Sequence, residues 1–398
     1  MAIENKKYIP TLRFPEFQND GEWKCLIIGN IINTINPQKK LQSSEYKKKG
    51  TFPIVDQSSS YISGYSDDVD AVIDCNGHKY IVFGDHTCSL KLVDFPFIQG
   101  ADGIKIFKSK TPEVLTEYLY QYIFAHPIIS KEYKRHFSDL KEKLLLYSAN
   151  VCEQKKVVDC LSSLDKYIDA TKRKLELLKE HKRGLMQRLF PAKGKTTPER
   201  RFPEFQNDGE WQTMSLGEIT SVVNRRNKSN RSLPIYSINN ADGFVPQSQQ
   251  FAGMDSEARG YDISAYKIIG KHTFAYNPAR INVGSIGYSG ELKDILISSL
   301  YVCFKTMDNV DDDFLMCFFN SYIFNQAVES NVEGGIRSYL FYENFSRINI
   351  AIPSLYEQKR IASCITSIED MIKKTNEQII LFETHKKGLL QQLFPMIK

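Results

Sequence analysis

The sequence lacks the marks of a secreted or membrane-spanning protein. Its eight cysteines are scattered and include no CxxC pair. The apolar segment at residues 118–129 is shorter than the roughly 20 residues that a membrane helix requires, and Pro127 interrupts it. Residues 1–7 are not followed by the apolar core of a signal peptide. We therefore expect a cytoplasmic protein whose thiols are reduced.

The motifs of a methyltransferase are missing as well. Such an enzyme needs a backbone cradle for S-adenosylmethionine and an Asn/Asp-Pro-Pro-aromatic motif that holds the target amine. Residues 277–280 (NPAR) come nearest to this motif, but they lack the second proline and the aromatic residue. The spaced glycines of residues 284–290 precede no helical sequence, so they do not form a phosphate-binding loop. We expect no catalysis by this chain.

Two possible metal sites are weak. A metal nuclease could use Asp20, Glu22 and Lys24, but the repeat copy described below has Gln212 in place of the lysine. A zinc ion could be held by two cysteines and two histidines, namely Cys75, His78, His86 and Cys88. Their spacing is unfamiliar for a zinc site, and alternating strand residues explain it more simply. No metal site is expected.

The net charge of +5 is unevenly distributed. Residues 153–195 carry a local charge of +6 and residues 357–398 carry +2, which leaves −3 for the rest of the chain. A nucleic-acid binder normally has a basic patch where it contacts phosphate. Binding of nucleic acid by the acidic remainder is therefore plausible only if a partner supplies most phosphate contacts.

The strongest signal is an internal repeat. Residues 13–23 (RFPEFQNDGEW) recur letter for letter at 201–211, an offset of 188. A second block, 153–191, returns at 357–395 with an offset of 204; each copy begins EQK, and the copies end HKRGLMQRLFP and HKKGLLQQLFP. We expect the 16 extra residues of the second copy to form about one strand-turn unit. The shared residues Trp23 and Trp211 are expected to pack the N-terminal segments onto their globules.

Each second-block copy is predicted to be a long helix with a narrow apolar seam. Apolar residues step by four and three in strict alternation, which is the heptad pattern of a coiled coil. A threonine and a lysine occupy the same register in both copies, and prolines 191 and 395 stop the helices. The seam residues that we expect to be buried are Leu161, Leu164, Ile168, Leu175, Leu178, Ile365, Ile368, Ile372, Ile379 and Phe382.

Two seams of equal length most simply pack against each other. An antiparallel pair would place the two globules at opposite ends; in the alternative, each seam covers only its own globule. Within the globules, residues 79–83, 267–269 and 273–276 read as strands. Helices are predicted over 114–125, capped by Thr111 with Pro112 at the first helical position, and over 314–328, begun by Asp311.

The duplicated globule and the duplicated helix, with EQK at its start and GLxQxLFP at its end, resemble the specificity subunit of a type I restriction–modification system. The resemblance covers the whole chain and includes residues 83–87 (FGDHT), 100–103 (GADG) and 276–287 (YNPARINVGSIG). One departure is at the helix entries, because the second copy has Pro353 and the first has no proline there. The entry geometry of the first helix is therefore open.

The resemblance implies a non-catalytic subunit that binds two methyltransferase subunits through its helices. Each globule would then read one half of a bipartite double-stranded DNA target, and restriction subunits would join the complex. No cofactor is expected in this chain, since S-adenosylmethionine, ATP and Mg would be bound by the partner subunits. The implied architecture is α/β, with two mixed α/β target-recognition domains separated by two long helices packed as an antiparallel coiled coil.

Candidate DNA contacts are side chains with paired donors and acceptors in turn-rich segments. In the first globule they are Gln57, Ser58, Ser59, Tyr61, Asp85, His86, Thr87 and Lys91. In the second they are Arg225, Arg226, Asn239, Asn240, Tyr276, Asn277, Arg280, Asn282, Ser285 and Arg337. The basic run 225–231 is as consistent with a solvated loop as with a phosphate contact. A turn or capping role is open for each of the others.

We predict target-recognition domains at 1–150 and 193–355 and helical spacers at 151–192 and 356–398. The predicted function is DNA target recognition within a methyltransferase and restriction complex, with the helices setting the half-site spacing. The alternative is a coiled-coil scaffold whose globules bind protein or glycan ligands.

Overall fold

A computed structural model describes residues 8–129, 135–240, 242–251, 253–332 and 339–395. The chain forms two compact units. The first unit comprises the chain up to Arg173 together with the segment from Asn376 onward, and the second comprises Lys174–Thr375. Among the described residues, no helix combines the length and the apolar character that crossing a membrane would need.

The first unit holds the first globule. Its strands are β1 (Lys24–Ile27), β2 (Ile32–Ile35), β3 (Phe52–Val55), β4 (Gly64–Ser66), β5 (Val72–Ile73), β6 (Tyr80–Gly84), β7 (Leu90–Val93), β8 (Phe97–Gln99), β9 (Ile104–Ser109) and β10 (Leu144–Tyr147). Its helices are α1 (Ile28–Ile31), α2 (Thr116–Ala125) and α3 (Phe137–Glu142), and the long helix α4 (Val151–Leu189) begins here.

The second unit holds the second globule. Its strands are β11 (Gln212–Ser215), β12 (Thr220–Val222), β13 (Ile235–Asn239), β14 (Gly243–Pro246), β15 (Lys267–Ile269), β16 (Phe274–Tyr276), β17 (Ile286–Tyr288), β18 (Ile295–Ile297), β19 (Val302–Thr306) and β20 (Asn349–Ile352). Its helices are α5 (Leu216–Ile219), α6 (Gln247–Gln250), α7 (Asp312–Phe319), α8 (Tyr322–Asn331) and α9 (Tyr342–Phe345), and the second long helix α10 (Leu355–Leu393) begins here.

The two globules have the same strand topology although their sequences differ between the repeated blocks. The first has sheets in the order β2-β9-β6-β7 and β4-β3-β8-β5, and the second has β12-β19-β16-β17 and β14-β13-β18-β15. The pairs β3–β8 and β13–β18 are parallel, and the other pairs within these sheets are antiparallel. A small two-stranded sheet, β1-β10 or β11-β20, completes each globule. The repeat thus extends to the whole fold.

The repeated tryptophan and the repeated Leu-Phe-Pro ending meet in the core. In the first unit, the Phe394 ring at the end of α10 lies 5.5 Å from Tyr118 of α2, and Trp23 lies 6.1 Å from the same tyrosine. These rings are buried, so the end of the helix is anchored by aromatic packing. The equivalent cluster of the second unit consists of Phe190, Phe314 and Trp211.

The two long helices have equivalent bounds, because Leu355 and Leu393 are each 204 residues after Val151 and Leu189. The ten predicted seam residues are all buried or partly buried. Within the first unit, Leu161 of α4 belongs to the same core cluster as Leu390 of α10.

The lysine that recurs in the seam has a repeated partner. Lys386 donates to Asp165 at 2.6 Å within the first unit, and Lys182 lies 2.6 Å from Glu369 within the second. Asp165 and Glu369 are themselves 204 residues apart, so the two ion pairs are equivalent. The two acceptors lie on the facing helix, so the charge of each seam lysine is compensated by an acid.

A buried ion pair joins the two repeated blocks within each unit. Arg13 donates from Nε and Nη2 to both carboxylate oxygens of Glu153, at 2.7 and 2.8 Å, and both side chains are almost fully buried. This hydrogen bonding raises the pKa of Arg13 above its ordinary value. Arg201 and Glu357 repeat the arrangement in the second unit. This ion pair accounts for the repetition of the arginine that precedes FPEF and of the glutamate that begins EQK.

The glutamine of each EQK motif fixes the start of the long helix. Gln154 donates from Nε2 to the carbonyl oxygens of Glu113 and Ser148 and accepts the N–H of Leu115 at 3.0 Å. Gln358 makes the equivalent bonds in the second unit, including one that accepts the N–H of Asp311. Both long helices therefore begin with the same hydrogen-bonding arrangement, although only the second is preceded by a proline, Pro353.

Three local predictions need correction. Helix α2 begins at Thr116 rather than at 114, because the N–H of Leu115 is satisfied by Gln154 and not by a cap from Thr111. The predicted helix 314–328 is two helices, α7 and α8, since Ser321 caps a new start by accepting the N–H of Phe324. The extra length of the second copy lies mainly between β14 and β15, where 247–266 contains α6 and no added strand among its described residues.

We expect Glu357→Gln to lower the free energy of unfolding of the second unit by ~3–5 kcal/mol, because the buried Arg201 would lose its charge partner. Urea unfolding measures the change. Glu204→Gln is the matched control, since Glu204 pairs with Arg360 on the surface and such pairs contribute ~1 kcal/mol or less. Equal effects of the two variants would show that burial of the pair is unimportant.

Candidate nucleic-acid interface

Three loops of the first globule meet at the carboxyl ends of β3, β6 and β8. The side chain of Gln57, after β3, donates to the carbonyl oxygen of Asp102, after β8, at 3.4 Å. Thr87, after β6, donates from Oγ1 to the carbonyl oxygen of Gln57 at 3.0 Å. The N–H of Asp85 donates to the carbonyl oxygen of Gly103 at 2.7 Å. The structure therefore brings together three segments that the sequence analysis selected separately.

Close approach of these loops requires glycine at two positions. A Cβ at Gly84 would lie 2.3 Å from Oγ1 of Thr87, which is far inside contact distance. Gly103 has a φ of +83°, and a Cβ there would also meet His86 at 3.0 Å. Side chains at either position would separate the loops or strain the backbone.

The candidate residues of the first globule divide by exposure. Ser58, Ser59, Tyr61 and Thr87 are exposed, and Gln57 and His86 are partly exposed. The hydroxyl of Tyr61 nevertheless donates to the carbonyl oxygen of Leu92.

Two other candidates of the first globule are buried. The carboxylate of Asp85 accepts the N–H of Phe137 at 2.8 Å, which ties the loop after β6 to α3. The ammonium group of Lys91 donates to backbone carbonyl oxygens. Both residues thus organise the loops from beneath.

The equivalent positions in the second globule are the loops that follow β13, β16 and β18. Asn240, Arg280 and Asn282 are exposed at these strand ends, and Asn239 and Asn277 are partly exposed. Asn277 accepts the N–H of Ala279 through its side chain at 3.0 Å, a turn-forming bond. Arg and Asn carry the paired groups that read guanine and adenine edges. The exposed surface is therefore chemically suited to a base edge.

Two candidates of the second globule are core residues. Tyr276 is fully buried, and its ring lies 5.1 Å from Phe345 in a stacked arrangement. Burial raises the pKa of the Tyr276 hydroxyl well above its ordinary range. Ser285 is also buried, and its carbonyl oxygen accepts the N–H of Asn277 at 3.0 Å. These two residues form the base of the loop that presents Arg280 and Asn282.

The basic run lies elsewhere in the second globule. The backbone of Arg226 forms an isolated antiparallel β-bridge with Lys267, at the start of β15. The guanidinium group of Arg225 lies 3.6 Å from the carboxylate of Asp294, just before β18. These contacts place Arg225 and Arg226 beside the edge strand β15, which β18 separates from β13. The last candidate, Arg337, lies outside the described residues.

No sequence motif marks the loop between β18 and β19 as a candidate. Leu300 in this loop is 76% exposed, and the Tyr301 hydroxyl accepts the N–H of Ile238 at 3.3 Å. The signal that could have identified this loop is its position in the repeat, which is equivalent to that of the GADG segment in the first globule. Among the described residues, no group of three or more His, Cys, Asp or Glu side chains could hold a metal ion.

Comparison with known proteins gives consistent similarities. Residues 208–381 match the family model of the type I restriction modification DNA specificity domain. A putative type I restriction enzyme MjaX specificity subunit from Methanocaldococcus jannaschii is 25% identical over 260 residues, which are 61% of this chain and 56% of that protein. The match thus spans little more than half of the relative's length.

The fold itself is found in a solved structure. The crystal structure of a type-I restriction-modification system S subunit from M. genitalium superposes with a TM-score of 0.65 at 15% identity, covering 98% of this chain and 100% of that one. The predicted fold class, mixed α/β domains with long helices, is confirmed by this likeness.

Proposed function

We propose that this chain is a specificity subunit of a type I restriction–modification system and recognises the DNA sequence for a methyltransferase and restriction complex. Each globule would read one half of a bipartite target. The observation that carries this proposal is the repeated topology, which places three loops at the same strand ends in both globules. The residues in those loops differ between the globules, as two different half-sites require.

The chemistry of the loops supports direct reading of bases. Arg280, Asn282 and Asn240 in the second globule are exposed, and Gln57 in the first is partly exposed. Such side chains make bidentate contacts with purine edges in the major groove. Few cations lie among them, so partner subunits would supply most phosphate contacts. The catalytic cofactors, S-adenosylmethionine, ATP and Mg, would be bound by those partners.

The long helices would bind two methyltransferase subunits. The first unit exposes Tyr167 of α4 and Leu381 of α10, at 67% and 65%. The second unit exposes Met371 of α10 and Leu177 of α4, at 45% and 65%. These residues are related in pairs by the offset of 204, so each unit has an equivalent apolar surface. Exposed apolar residues that form a contiguous patch mark protein interaction sites, and we propose that each of these pairs belongs to such a patch.

The helices would also set the spacing between the half-sites. Each has 39 residues, which at ~1.5 Å per residue is about 58 Å, comparable to ~17 base steps of ~3.4 Å. A target read by two globules joined through helices of this length would consist of two short elements with an unread gap. Restriction subunits would join the complex formed with the methyltransferase.

The test is to map the sequence that the chain recognises together with its methyltransferase subunits. We expect a bipartite site, and loss of either half should weaken binding at least ~10²-fold. Exchange of residues 24–150 for the matching region of a relative should change one half only, and exchange of 212–352 should change the other half. The chain without partners should not transfer methyl groups.

Two results would contradict the proposal. A change in both halves after a single exchange would show that the globules do not read independently. Binding that depends on salt but not on sequence would remove the recognition function and favour a scaffold for protein or glycan ligands.

A further inference from the structure

The side chain of Lys91 is a buried cation beneath the loop that follows β3. Lys91 lies on β7, opposite Val82 of β6, and only 5% of its surface is exposed. Its Nζ donates to the carbonyl oxygens of Asp56 and Ser60, at 2.7 and 2.5 Å. Burying an ammonium group is costly unless it is hydrogen-bonded. These two backbone acceptors therefore determine where the loop can lie.

The loop, residues 56–63, is also stabilised by hydrogen bonds that its own residues make. The carboxylate of Asp56 accepts the N–H of Ser58 at 2.9 Å and the hydroxyl of Ser63. It lies 3.9 Å from Nζ of Lys91. The Tyr61 hydroxyl donates to β7 through the carbonyl oxygen of Leu92. The loop therefore covers Lys91 and is held in place by these hydrogen bonds.

The second globule shows what the same hairpin looks like without the lysine. Eight residues, 56–63, separate β3 from β4, whereas only three positions, 240–242, separate β13 from β14. A loop of eight residues has more conformations available than one of three. The longer loop therefore has the greater need for an internal support.

The strand register identifies the position that corresponds to Lys91. Lys91 pairs with Val82 in the first globule, and Gly287 pairs with Ala275 in the second. A Cβ at Gly287 would lie 3.1 Å from the Phe244 ring, so the short hairpin packs directly on the strand. A lysine occupies this position in the globule with the long loop, and glycine occupies it in the globule with the short one.

We propose that Lys91 is a positioning residue, which fixes the 56–63 loop so that Gln57, Ser58 and Ser59 are presented to DNA. This inference rests on the proposed function of the first globule. Lys91 acts through the loop and does not contact phosphate, because two of its three N–H groups are accepted by backbone carbonyl oxygens and the side chain is covered. Burial lowers the pKa of Lys91, and the nearby Asp56 opposes that shift.

The test compares Lys91→Met with Lys108→Met in the complex with methyltransferase subunits. Lys108 is a partly exposed lysine of the same globule, whose Nζ lies 5.6 Å from the Tyr80 ring. We expect Lys91→Met to reduce discrimination against single-base changes in the first half-site at least ~10-fold. Discrimination in the second half-site and the salt slope of binding should not change. Amide hydrogen exchange should accelerate at 57–62 and not in β6 or β9.

Asp56→Asn is the second variant, because it loosens the same loop and leaves Lys91 in place. It should cause the same selective loss in the first half-site. Full discrimination by Lys91→Met would overturn the inference. Uniform weakening on every sequence, with the salt slope reduced by about one, would also overturn it and identify a phosphate contact. If the unaltered chain shows no sequence preference, the proposed function fails, and hydrogen exchange still tests the support of the loop.

Discussion

Inserting four residues after Thr171 and four after Thr375 should lengthen the gap in the recognised DNA sequence by one or two base pairs. Each insertion adds about one helical turn, ~6 Å, and one base step is ~3.4 Å. Both half-sites should stay unchanged, because the loops that read them are not altered. The DNA sequence with the original gap should no longer be recognised. Mapping of the methylated sequences in a host that carries the variant measures the result.

Equal insertions in both helices preserve the pairing on either side of them. The bond from Lys386 to Asp165 in the first unit and the pair Lys182–Glu369 in the second are not displaced. Seven inserted residues add a full heptad and ~10.5 Å, so the gap should grow by about three base pairs. Substitution of four exposed helix residues by alanine is the control without a length change. An unaltered gap in both insertion variants would show that the helices do not set the spacing.

Replacing Tyr167 and Leu381 by lysine should reduce the number of bound methyltransferase subunits from two to one. Tyr167 directly precedes the seam residue Ile168, and Leu381 directly precedes the seam residue Phe382. In the heptad pattern both therefore lie on the same flank of the seam. Each would place a charge in an apolar contact, and loss of one central contact alone weakens binding ~30-fold or more. The mass of the assembled complex measures the stoichiometry. The Met371→Lys and Leu177→Lys pair should remove the other subunit.

Asp169→Lys is the matched control for these variants. Asp169 is exposed on α4 but lies on the other side of the seam. The control should retain two methyltransferase subunits and normal recognition. Two bound subunits after substitution of Tyr167 and Leu381 would place the docking surface elsewhere. Thermal unfolding should be unchanged in all variants, since the substituted side chains are already exposed.

The long helices could be predicted because their determinants are local. The heptad spacing gives the buried face, and prolines 191 and 395 give the ends. The partner of Lys386 could not be predicted in the same way. Its acceptor, Asp165, is 221 residues away and is found only when the helices pair.

The start of α2 was mispredicted for a related reason. Thr111 and Pro112 have the local pattern of a helix start, but the N–H of Leu115 is satisfied by Gln154 from the long helix. Thr111 does accept the N–H of Glu113 at 3.3 Å, but this local bond does not start the helix, which begins only after Leu115. The prediction for Asp311 was correct, since its side chain does cap α7 by accepting the N–H of Phe314.

The sequence by itself determined the duplication and the two long helices, because a repeat and a heptad pattern can be found from the order of residues alone. It also predicted which segments would carry the candidate interface, and that prediction is still to be tested. Only the tertiary structure decided which of their side chains face outward: Arg280 and Asn282 are exposed, whereas Tyr276 and Lys91 are buried. The physical reason is that exposure depends on the strands and loops packed around a residue. Those neighbours come from distant parts of the chain.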